Sequence, residues 1–332
     1  MKASLKDIAT DLHLSKATIS WILSGQGKKK GFSDETIKRV QEYAEKIGYR
    51  TNKLARSLSK GSTQIIGLIV PCLSDTFYAH LADAVEQEAA KFHYSMIVSS
   101  SNAGGEEECE LIDNMRSMQV DGIILASNKF SPKGVVSMLD DKYPFVLVDR
   151  YYSNLDTNFV LVNNEGACYD MVHEMYKKGA KKIAFITSDH YLLVMQQRME
   201  GYRKGLKSCG LVSNESLEVL VDRATYKEDI ITKLDKLFSE NKDIDGLFFS
   251  THYLAMESIR YCINHHIDYH KLVLGCFHNT DGLDVLAPHM MTTSIPVQRM
   301  GEEGVRILLD HIKDEHNELP FEKVIIENEK RV

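Results

Sequence analysis

Residues 5–23 read LKDIATDLHLSKATISWIL and decide the fold of the N-terminal region. Apolar residues recur at helical spacing on both sides of a polar break. Ser15 is placed to cap the second helix, which is predicted over about Lys16 to Leu23 and to end at Ser24-Gly25. Two short helices joined by a tight turn predict a helix-turn-helix, whose second helix lies in the DNA major groove. A small helical hairpin packed on a larger domain is the alternative.

The charge distribution separates this region from the rest of the chain. Residues 1–61 carry 13 Lys and Arg against 6 Asp and Glu, whereas the remainder carries 27 against 41. The net charge of −7 therefore combines a basic head with an acidic body. Phosphate neutralisation by a single module requires such a distribution.

Length and composition bound the class of protein. A chain of 332 residues with 43% hydrophobic residues allows two or three domains with sizeable cores. It holds no run of eighteen apolar residues, and its N-terminus lacks the apolar core of a signal peptide, so we expect a cytoplasmic protein without a membrane partner. The six cysteines form no C-x-x-C pair, which predicts reduced thiols rather than a metal site or disulfides.

A third helix is predicted after the helix-turn-helix. It begins at a cap formed by Ser33 or Asp34 and carries an apolar stripe that closes a three-helix core. Lys28, Lys29 and Lys30 lie in the loop before it. They are predicted to contact the DNA backbone and to add affinity that does not depend on base sequence, with a solvated loop as the alternative.

The polar stretch after the third helix is a candidate hinge. It reads TNKLARSLSKGST over 51–63 and is too short for a stable isolated helix. On DNA it can become helical, with Leu58 as an apolar wedge in the minor groove and Arg56 on phosphates. A plain interdomain linker is the alternative.

From Ile65 onward, short apolar runs alternate with amphipathic helices. This pattern predicts parallel sheets with right-handed crossovers, and the number of units exceeds one core, so two α/β lobes are expected. Ligands of such sheets bind at the carboxyl ends of the strands, which predicts a cleft between the lobes. The residues after the strands are aromatic, hydroxylated or charged, which suits a polyhydroxylated ligand. They lie at 72–78, 149–150, 188–189, 250–252 and 277–279.

The motifs together resemble the lactose-repressor (LacI) family of bacterial transcription factors. These motifs are LKDIATDLHLSKATIS, SDETIKRV, IGY, N-x-x-AR-x-L and IIGLIVP, and the resemblance covers essentially the whole chain. The lengthened GQGKKKGFSDET loop, DGIILAS, VLVDR and LGCF are similar to the branch of fructose and sucrose repressors. The resemblance implies a helix-turn-helix head on a body like the periplasmic binding proteins, made of two doubly wound parallel-sheet lobes.

The resemblance also implies the roles of residues in the head. Lys16, Ala17 and Trp21 occupy base-reading positions, and Thr18 and Ser20 support the helix or contact the backbone. The hinge motif supplies Asn52, Ala55, Arg56 and Leu58, with Leu58 as the intercalating leucine.

Trp21 departs from the many relatives that carry arginine at its position. An indole cannot read guanine through O6 and N7 as arginine does. Trp21 therefore contacts either a thymine methyl group or the sugar-phosphate backbone, and the operator sequence cannot be transferred from relatives.

For the cleft, the resemblance adds specific effector contacts. Phe77 and Tyr78 match the loop that packs on the effector, Asp149 follows the fourth strand, and Arg198 belongs to the R-x-x-G-[YFW] motif, here RMEGY. Aspartate is usual in relatives where this chain has histidines, so the pocket favours an effector with acceptors or negative charge, such as a sugar phosphate. The full predicted set is Ser74, Asp75, Phe77, Tyr78, Asp149, Arg150, Arg198, His252, Phe277 and His278.

The predicted protein is a DNA-binding regulator, most simply a repressor, that acts as a homodimer on a pseudo-palindromic operator and responds to a sugar or sugar phosphate. A tetramer stays open. The predicted domains are 1–50 for the head, 51–63 for the hinge, 64–162 with 295–319 for the N-terminal lobe, and 163–294 with 320–332 for the C-terminal lobe. The alternatives are a sugar-binding protein without a DNA role, which the basic head disfavours, and an enzyme. No catalytic or cofactor motif appears, and the histidines at 265, 266 and 270 lack the Cys or paired carboxylates of a metal site.

Overall fold

The structure is a computed structural model that describes residues 4–49, 61–102, 105–128, 131–188, 191–314 and 316–331. The chain divides into two units, Met1–Thr63 and Gln64–Val332. Within the described ranges no helix has both the length and the apolar character needed to cross a membrane. The α-helices are α1 (Leu5–Asp11), α2 (Lys16–Leu23), α3 (Asp34–Lys46), α4 (Thr76–Lys91), α5 (Gly105–Ser117), α6 (Lys133–Asp140), α7 (Asn164–Lys177), α8 (Leu193–Ser208), α9 (Tyr226–Glu240), α10 (His252–Asn264), α11 (Asp281–Leu286) and α12 (Val297–Lys313). The strands are β1 (Ile65–Val70), β2 (Ser95–Ser100), β3 (Gly122–Leu125), β4 (Phe145–Val148), β5 (Phe159–Val162), β6 (Ile183–Ser188), β7 (Glu218–Val221), β8 (Gly246–Phe249), β9 (Val273–Cys276), β10 (Met291–Ser294), β11 (Lys323–Ile326) and β12 (Glu329–Arg331).

Serine caps begin the helices of the first unit. Ser15 Oγ accepts a hydrogen bond from the backbone N–H of Thr18 at 3.0 Å, and Ser33 Oγ does the same for Thr36 at 3.2 Å. Helix α2 ends before Gly25, whose φ of +77° lies in the left-handed region that favours glycine. The predicted cap and bounds of the second helix are confirmed, and the cap of the third is Ser33 rather than Asp34.

The three helices of this unit enclose a small apolar core. Arg39 Nη2 donates to the carbonyl of Leu12 at 2.8 Å, and the Tyr43 hydroxyl donates to Asp11 at 2.5 Å, so α3 is tied to the end of α1. These bonds join α1 to α3, the two helices against which α2 packs. The buried residues are Ile8, Ala9, Leu12, Ile19, Ile22, Val40 and Ala44.

The second unit contains two six-stranded sheets, each the centre of one lobe. The N-terminal lobe has the order β11-β5-β4-β3-β1-β2 with parallel pairing throughout. The C-terminal lobe has the order β12-β10-β9-β8-β6-β7, parallel except for β12, which runs antiparallel to β10. Central strands such as β3, β4, β6 and β8 are buried along their whole length, as strands covered by helices on both faces must be. The predicted pair of α/β lobes is confirmed.

The last crossing between the lobes differs from the prediction. Residues from 320 onward were expected in the C-terminal lobe, whereas β11 pairs with β5 in the N-terminal lobe, with Lys323 opposite Phe159. Only β12 joins the other sheet, so the chain crosses at Glu327 and Asn328. The apolar run KVII fills the open edge beside β5, which the sequence alone does not distinguish from an edge of the other sheet.

Candidate functional site

One face of α2 is exposed along the whole helix. Its exposed residues, called the reading face below, are Lys16, Ala17, Ser20 and Trp21. Ile19 and Ile22 point the other way and are fully buried in the core. Thr18 is half-buried, and its hydroxyl lies 2.8 Å from the hydroxyl of the cap Ser15, so Thr18 supports the start of the helix.

Within residues 4–49, Trp21 is the one large apolar side chain that is exposed, with 38% of its surface accessible. Its ring stacks on Phe32 with centroids 6.3 Å apart, and the Lys30 ammonium lies 5.0 Å from the ring centroid. The lengthened loop before α3 is therefore docked on the reading face through the indole. This contact orients Trp21 and holds one loop lysine beside it.

The other loop lysines are arranged differently. Lys28 forms an exposed ion pair with Asp34 at 3.0 Å, which contributes little to stability. Lys29 is exposed. The predicted hinge residues Asn52, Ala55, Arg56 and Leu58 lie outside the described residues.

Eight of the ten predicted effector residues line one cavity between the two lobes, at the carboxyl ends of the strands. Of the other two, Ser74 is exposed and lies 3.0 Å from the Cys72 sulfur, and Phe277 is fully buried beneath the cavity wall. The cavity volume is about 60 Å³. Typical ligand pockets measure roughly 300–1,000 Å³, so the cavity in this arrangement of the lobes is small for a ligand site.

The N-terminal lobe contributes a hydrogen-bonded acid to this cleft cavity. The Tyr78 hydroxyl donates to Asp149 Oδ2 at 2.8 Å, and Arg150 Nε lies 3.6 Å from the same oxygen. Burial raises the pKa of Tyr78 well above its usual range, so the phenol remains a donor. Asp149 has a φ of +63°, an uncommon conformation for a residue other than glycine and one often found at functional sites.

Arg198 lines the cavity from the C-terminal lobe and is only 5% exposed. Its Nε donates to Asn164 Oδ1 and its Nη1 to the carbonyl of Ser250, both at 2.8 Å. The guanidinium carbon lies 3.7 Å from the centroid of the Phe277 ring, so Phe277 supports Arg198 rather than lining the cavity. Burial lowers the pKa of Arg198, but arginine remains charged at physiological pH.

The motif glycine after Arg198 fixes the position of this helix. A Cβ at Gly201 would lie 2.2 Å from the carbonyl oxygen of Glu165, so only glycine permits α8 to approach α7 this closely. Because Asn164 begins α7, the same approach brings Arg198 within reach of its amide partner. The R-x-x-G-[YFW] motif therefore sets both the packing of α8 on α7 and the position of Arg198 in the cleft.

Two imidazoles form the rest of the wall. The rings of His252 and His278 lie 5.3 Å apart, and His252 Nε2 reaches to 3.8 Å from Asp75 Oδ1 across the cleft. Phe77 meets the His278 ring edge-to-face at 5.8 Å. Burial, His252 and Arg198 lower the pKa of His278 to about 3, and burial lowers that of His252, so both rings are neutral near pH 7.

The sequence reasoning missed two polar members of the cavity, Arg223 and Tyr253. The Arg223 guanidinium lies 4.4 Å from the centroid of the Tyr253 ring. Arg223 follows β7, so the strand-end rule would have found it had that strand been included. Tyr253 is the second residue of α10 and follows the predicted segment 250–252 directly.

A helix-turn-helix head followed by a two-lobed α/β body with a polar cleft defines a class of ligand-responsive transcription regulators. The chain belongs to the LacI family: residues 63–251 match the family described as "Periplasmic binding proteins and sugar binding domain of LacI family". It is therefore a DNA-binding transcriptional regulator and not an enzyme.

Individual relatives agree with this assignment. Catabolite control protein A of Priestia megaterium is 29% identical over 95% of this chain and 94% of its own length. The HTH-type transcriptional regulator RegA of Clostridium acetobutylicum is 30% identical over 93% of this chain and 92% of its own. Among solved structures, the transcription regulator CcpA of Lactococcus lactis has a TM-score of 0.71 at 20% identity, covering 81% of this chain and 97% of its own. A complex of the transcriptional regulator CelR with cellobiose has a TM-score of 0.73 at 19% identity, covering 100% and 99%. At about 20% identity, these two structural similarities establish the shared fold alone.

Proposed function

We propose that this regulator is a cytoplasmic repressor that binds a pseudo-palindromic operator as a homodimer through α2, and that a sugar or sugar phosphate in the cleft cavity controls its affinity for DNA. The observation that carries the effector proposal is the convergence of charged, aromatic and imidazole groups from both lobes on one cavity. A regulator of the same fold has been solved with cellobiose, which supports a carbohydrate ligand.

The proposed coupling between effector binding and DNA binding rests on the small volume of the cavity, because a sugar fits only when the two lobes are farther apart. A ligand that holds the lobes at a different separation favours one arrangement of the body, and linkage then requires effector and DNA to change each other's affinity by the same factor. We propose that the hinge at 51–63 and the head at 1–50 transmit this change from the body to the DNA. We propose lobes of 64–162 with 295–326, and of 163–294 with 327–332, which agrees with the pairing of β11 with β5 and of β12 with β10.

In the head, we propose that Lys16, Ala17 and Trp21 of the reading face contact bases, that Ser20 contacts the DNA backbone, and that Lys28, Lys29 and Lys30 contact phosphates. The hinge residues Asn52, Ala55, Arg56 and Leu58 are proposed for the minor groove. Selection of binding sites from a random DNA library by the full-length protein tests this directly. Two inverted half-sites with centres about one helical turn apart are expected for a dimer. A single asymmetric site would contradict the dimer.

The selected operator then allows the effector to be identified. Fluorescence anisotropy of the labelled operator is measured with glucose, fructose, sucrose, cellobiose, fructose 1-phosphate and fructose 1,6-bisphosphate. At least one compound is expected to shift the operator Kd by about fivefold or more. Fructose, sucrose or a fructose phosphate would support the proposed fructose and sucrose branch. If none of a broad set of sugars and sugar phosphates alters the Kd, the proposed control by carbohydrate is wrong.

A further inference from the structure

The loop between α2 and α3 is an ordered part of the head. The backbone N–H of Lys30 donates to the carbonyl of Gln26 at 3.0 Å. The backbone N–H of Phe32 donates to the carbonyl of Gly27 at 3.1 Å. Gly27 is buried, and a Cβ at this position would lie 2.9 Å from Ile37 Cγ1, so the loop packs directly on α3. The backbone position of Lys30 is therefore set by the folded loop.

Phe32 connects this loop to the reading face. Its ring is half-buried against the core of the three helices and stacks on the Trp21 indole with an angle of 28° between the ring planes. The Lys30 ammonium lies 5.0 Å from the centroid of the same indole. The negative face of an indole attracts a cation at this distance, so the ammonium is held on the reading face.

The three loop lysines differ in what their ammonium groups contact. Lys28 forms an ion pair with Asp34, the first residue of α3, and both side chains are largely exposed. Lys29 is exposed. Of the three, it is Lys30 whose ammonium lies on a residue of the reading face. The loop therefore presents one lysine where base contacts are proposed and two lysines elsewhere.

We propose that Lys30 is a base-reading residue, whose ammonium, held on the Trp21 indole, donates to O6 or N7 of a guanine beside the base pair that Trp21 contacts. This inference rests on the proposed contact of the reading face with bases. It adds a residue outside α2 to those that determine the operator sequence, and it gives Lys30 a role beyond the phosphate contact proposed for the loop lysines.

The distance between the ammonium and the indole matches the spacing of base pairs. Successive base pairs of B-DNA are about 3.4 Å apart along the helix axis. The Lys30 ammonium lies 5.0 Å from the centre of the indole. When Trp21 lies on one base pair, the ammonium is therefore within reach of the edge of the next pair or of the one after it.

The chemistry of an ammonium group favours guanine at that position. Lysine has three N–H donors and no acceptor, and the indole face cannot engage all three. Guanine presents two neighbouring acceptors in the major groove, whereas adenine presents a donor beside its N7 and cytosine presents a donor. Because the indole already restricts the side chain of Lys30, less conformational entropy is lost when the base contact forms.

The experiment uses the full-length protein and the operator obtained by site selection. Each base pair of the half-site is replaced in turn by the other three, and fluorescence anisotropy gives the Kd of every operator variant. The wild type is expected to prefer guanine at one position by about tenfold, in the range expected for a specific base contact. Lys30→Ala should bind all four bases at that position within about twofold. Lys29→Ala is the matched control from the same loop and should keep the guanine preference, while both variants should reduce the salt dependence of binding.

Two further variants test how Lys30 is positioned. Lys30→Arg should keep the guanine preference, because a guanidinium group also donates to O6 and N7. Trp21→Ala removes the ring that holds the ammonium and should reduce the same preference. Lys30→Ala should therefore cost less guanine preference in the Trp21→Ala background than in the wild type. Lys30 and Trp21 are both exposed, so melting temperatures should confirm that these variants remain folded.

The outcomes separate this inference from the proposed function. If Lys30→Ala weakens binding equally for every base at every position, Lys30 contacts phosphates alone, and the inference is wrong while the proposed function stands. Loss of the guanine preference in Lys29→Ala as well as in Lys30→Ala would also overturn the inference. If Lys16→Ala and Trp21→Ala both leave the operator Kd and the base preferences unchanged, the proposed reading face is wrong and the inference fails with it.

Discussion

The reading face lies within six residues of one short helix and is exposed, whereas the cleft draws mostly buried residues from both lobes. The reading face side chains support little else in the head, because the core of that unit uses the opposite side of α2. In the cleft, Arg198, Asp149 and Tyr78 hold parts of the body together through hydrogen bonds. Substitutions in the reading face should therefore change DNA affinity alone, and substitutions in the cleft should change stability and ligand binding together.

The largest effect is expected from Arg198→Leu. The variant leaves Asn164 Oδ1 and the Ser250 carbonyl without their donor and removes the cation stacked on Phe277. The free energy of unfolding should fall by about 3 kcal/mol, since each buried acceptor left unpaired costs about 1–3 kcal/mol. Urea denaturation checks this, and operator binding by the folded variant should lose its response to effector. Unchanged stability together with a normal response would contradict the role assigned to Arg198.

A smaller loss of stability is expected from Gly201→Ala. The new Cβ would meet the Glu165 carbonyl oxygen at 2.2 Å, a backbone atom that cannot move aside without shifting α7. Overpacking of this kind costs about 1–3 kcal/mol, which thermal unfolding can measure. Gly282→Ala is the matched control, because its Cβ would find its nearest neighbour at 3.5 Å, an ordinary contact. Equal melting temperatures for the two variants would show that α7 and α8 are not closely packed at Gly201.

The reading face and the cleft also differ in how much of each the sequence could predict. The caps Ser15 and Ser33 and the bounds of α2 depend on neighbours in sequence, so local rules predicted them correctly. The rule that ligands bind after strands found most of the cavity lining, and Arg223 was missed because the rule was not applied to β7, the strand that Arg223 follows.

Local sequence patterns gave wrong predictions where contacts between residues distant in sequence set the position of a side chain or strand. Phe277 satisfies the same strand-end rule, yet it is buried because Arg198 lies over its ring. The run KVII of β11 suits an edge of either sheet, and its pairing with β5 is set by tertiary contacts.

In the reading face, Trp21→Ala should weaken operator binding by roughly tenfold, about 1.4 kcal/mol, as expected for one lost contact to a base or to the DNA backbone. The melting temperature should change little, since Trp21 is 38% exposed and packs mainly on Phe32 and Lys30. Lys29→Ala is the control and should lower the slope of log K against log salt by about one without altering base preference.

The same variant distinguishes the two interpretations of Trp21. If the indole contacts a thymine methyl group, replacing that thymine by uracil should weaken wild-type binding and leave Trp21→Ala unaffected. If it packs on the sugar-phosphate backbone, no single thymine should matter. A drop in stability as large as the drop in affinity would contradict the separation of reading and folding in the head.

The smallest effect concerns the pH dependence of stability in the absence of ligand. Burial, His252 and Arg198 hold the pKa of His278 at about 3 in the folded protein, below its value of about 6.5 in the unfolded chain. The unfolded state therefore binds more protons below pH 6.5, and stability must fall as the pH is lowered. Between pH 7 and pH 5.5 the loss from this residue is about 1 kcal/mol. Because an asparagine cannot titrate, urea denaturation of His278→Asn should show a pH dependence flatter by this amount. Identical pH dependence for wild type and variant would mean that His278 is not held neutral in the cleft.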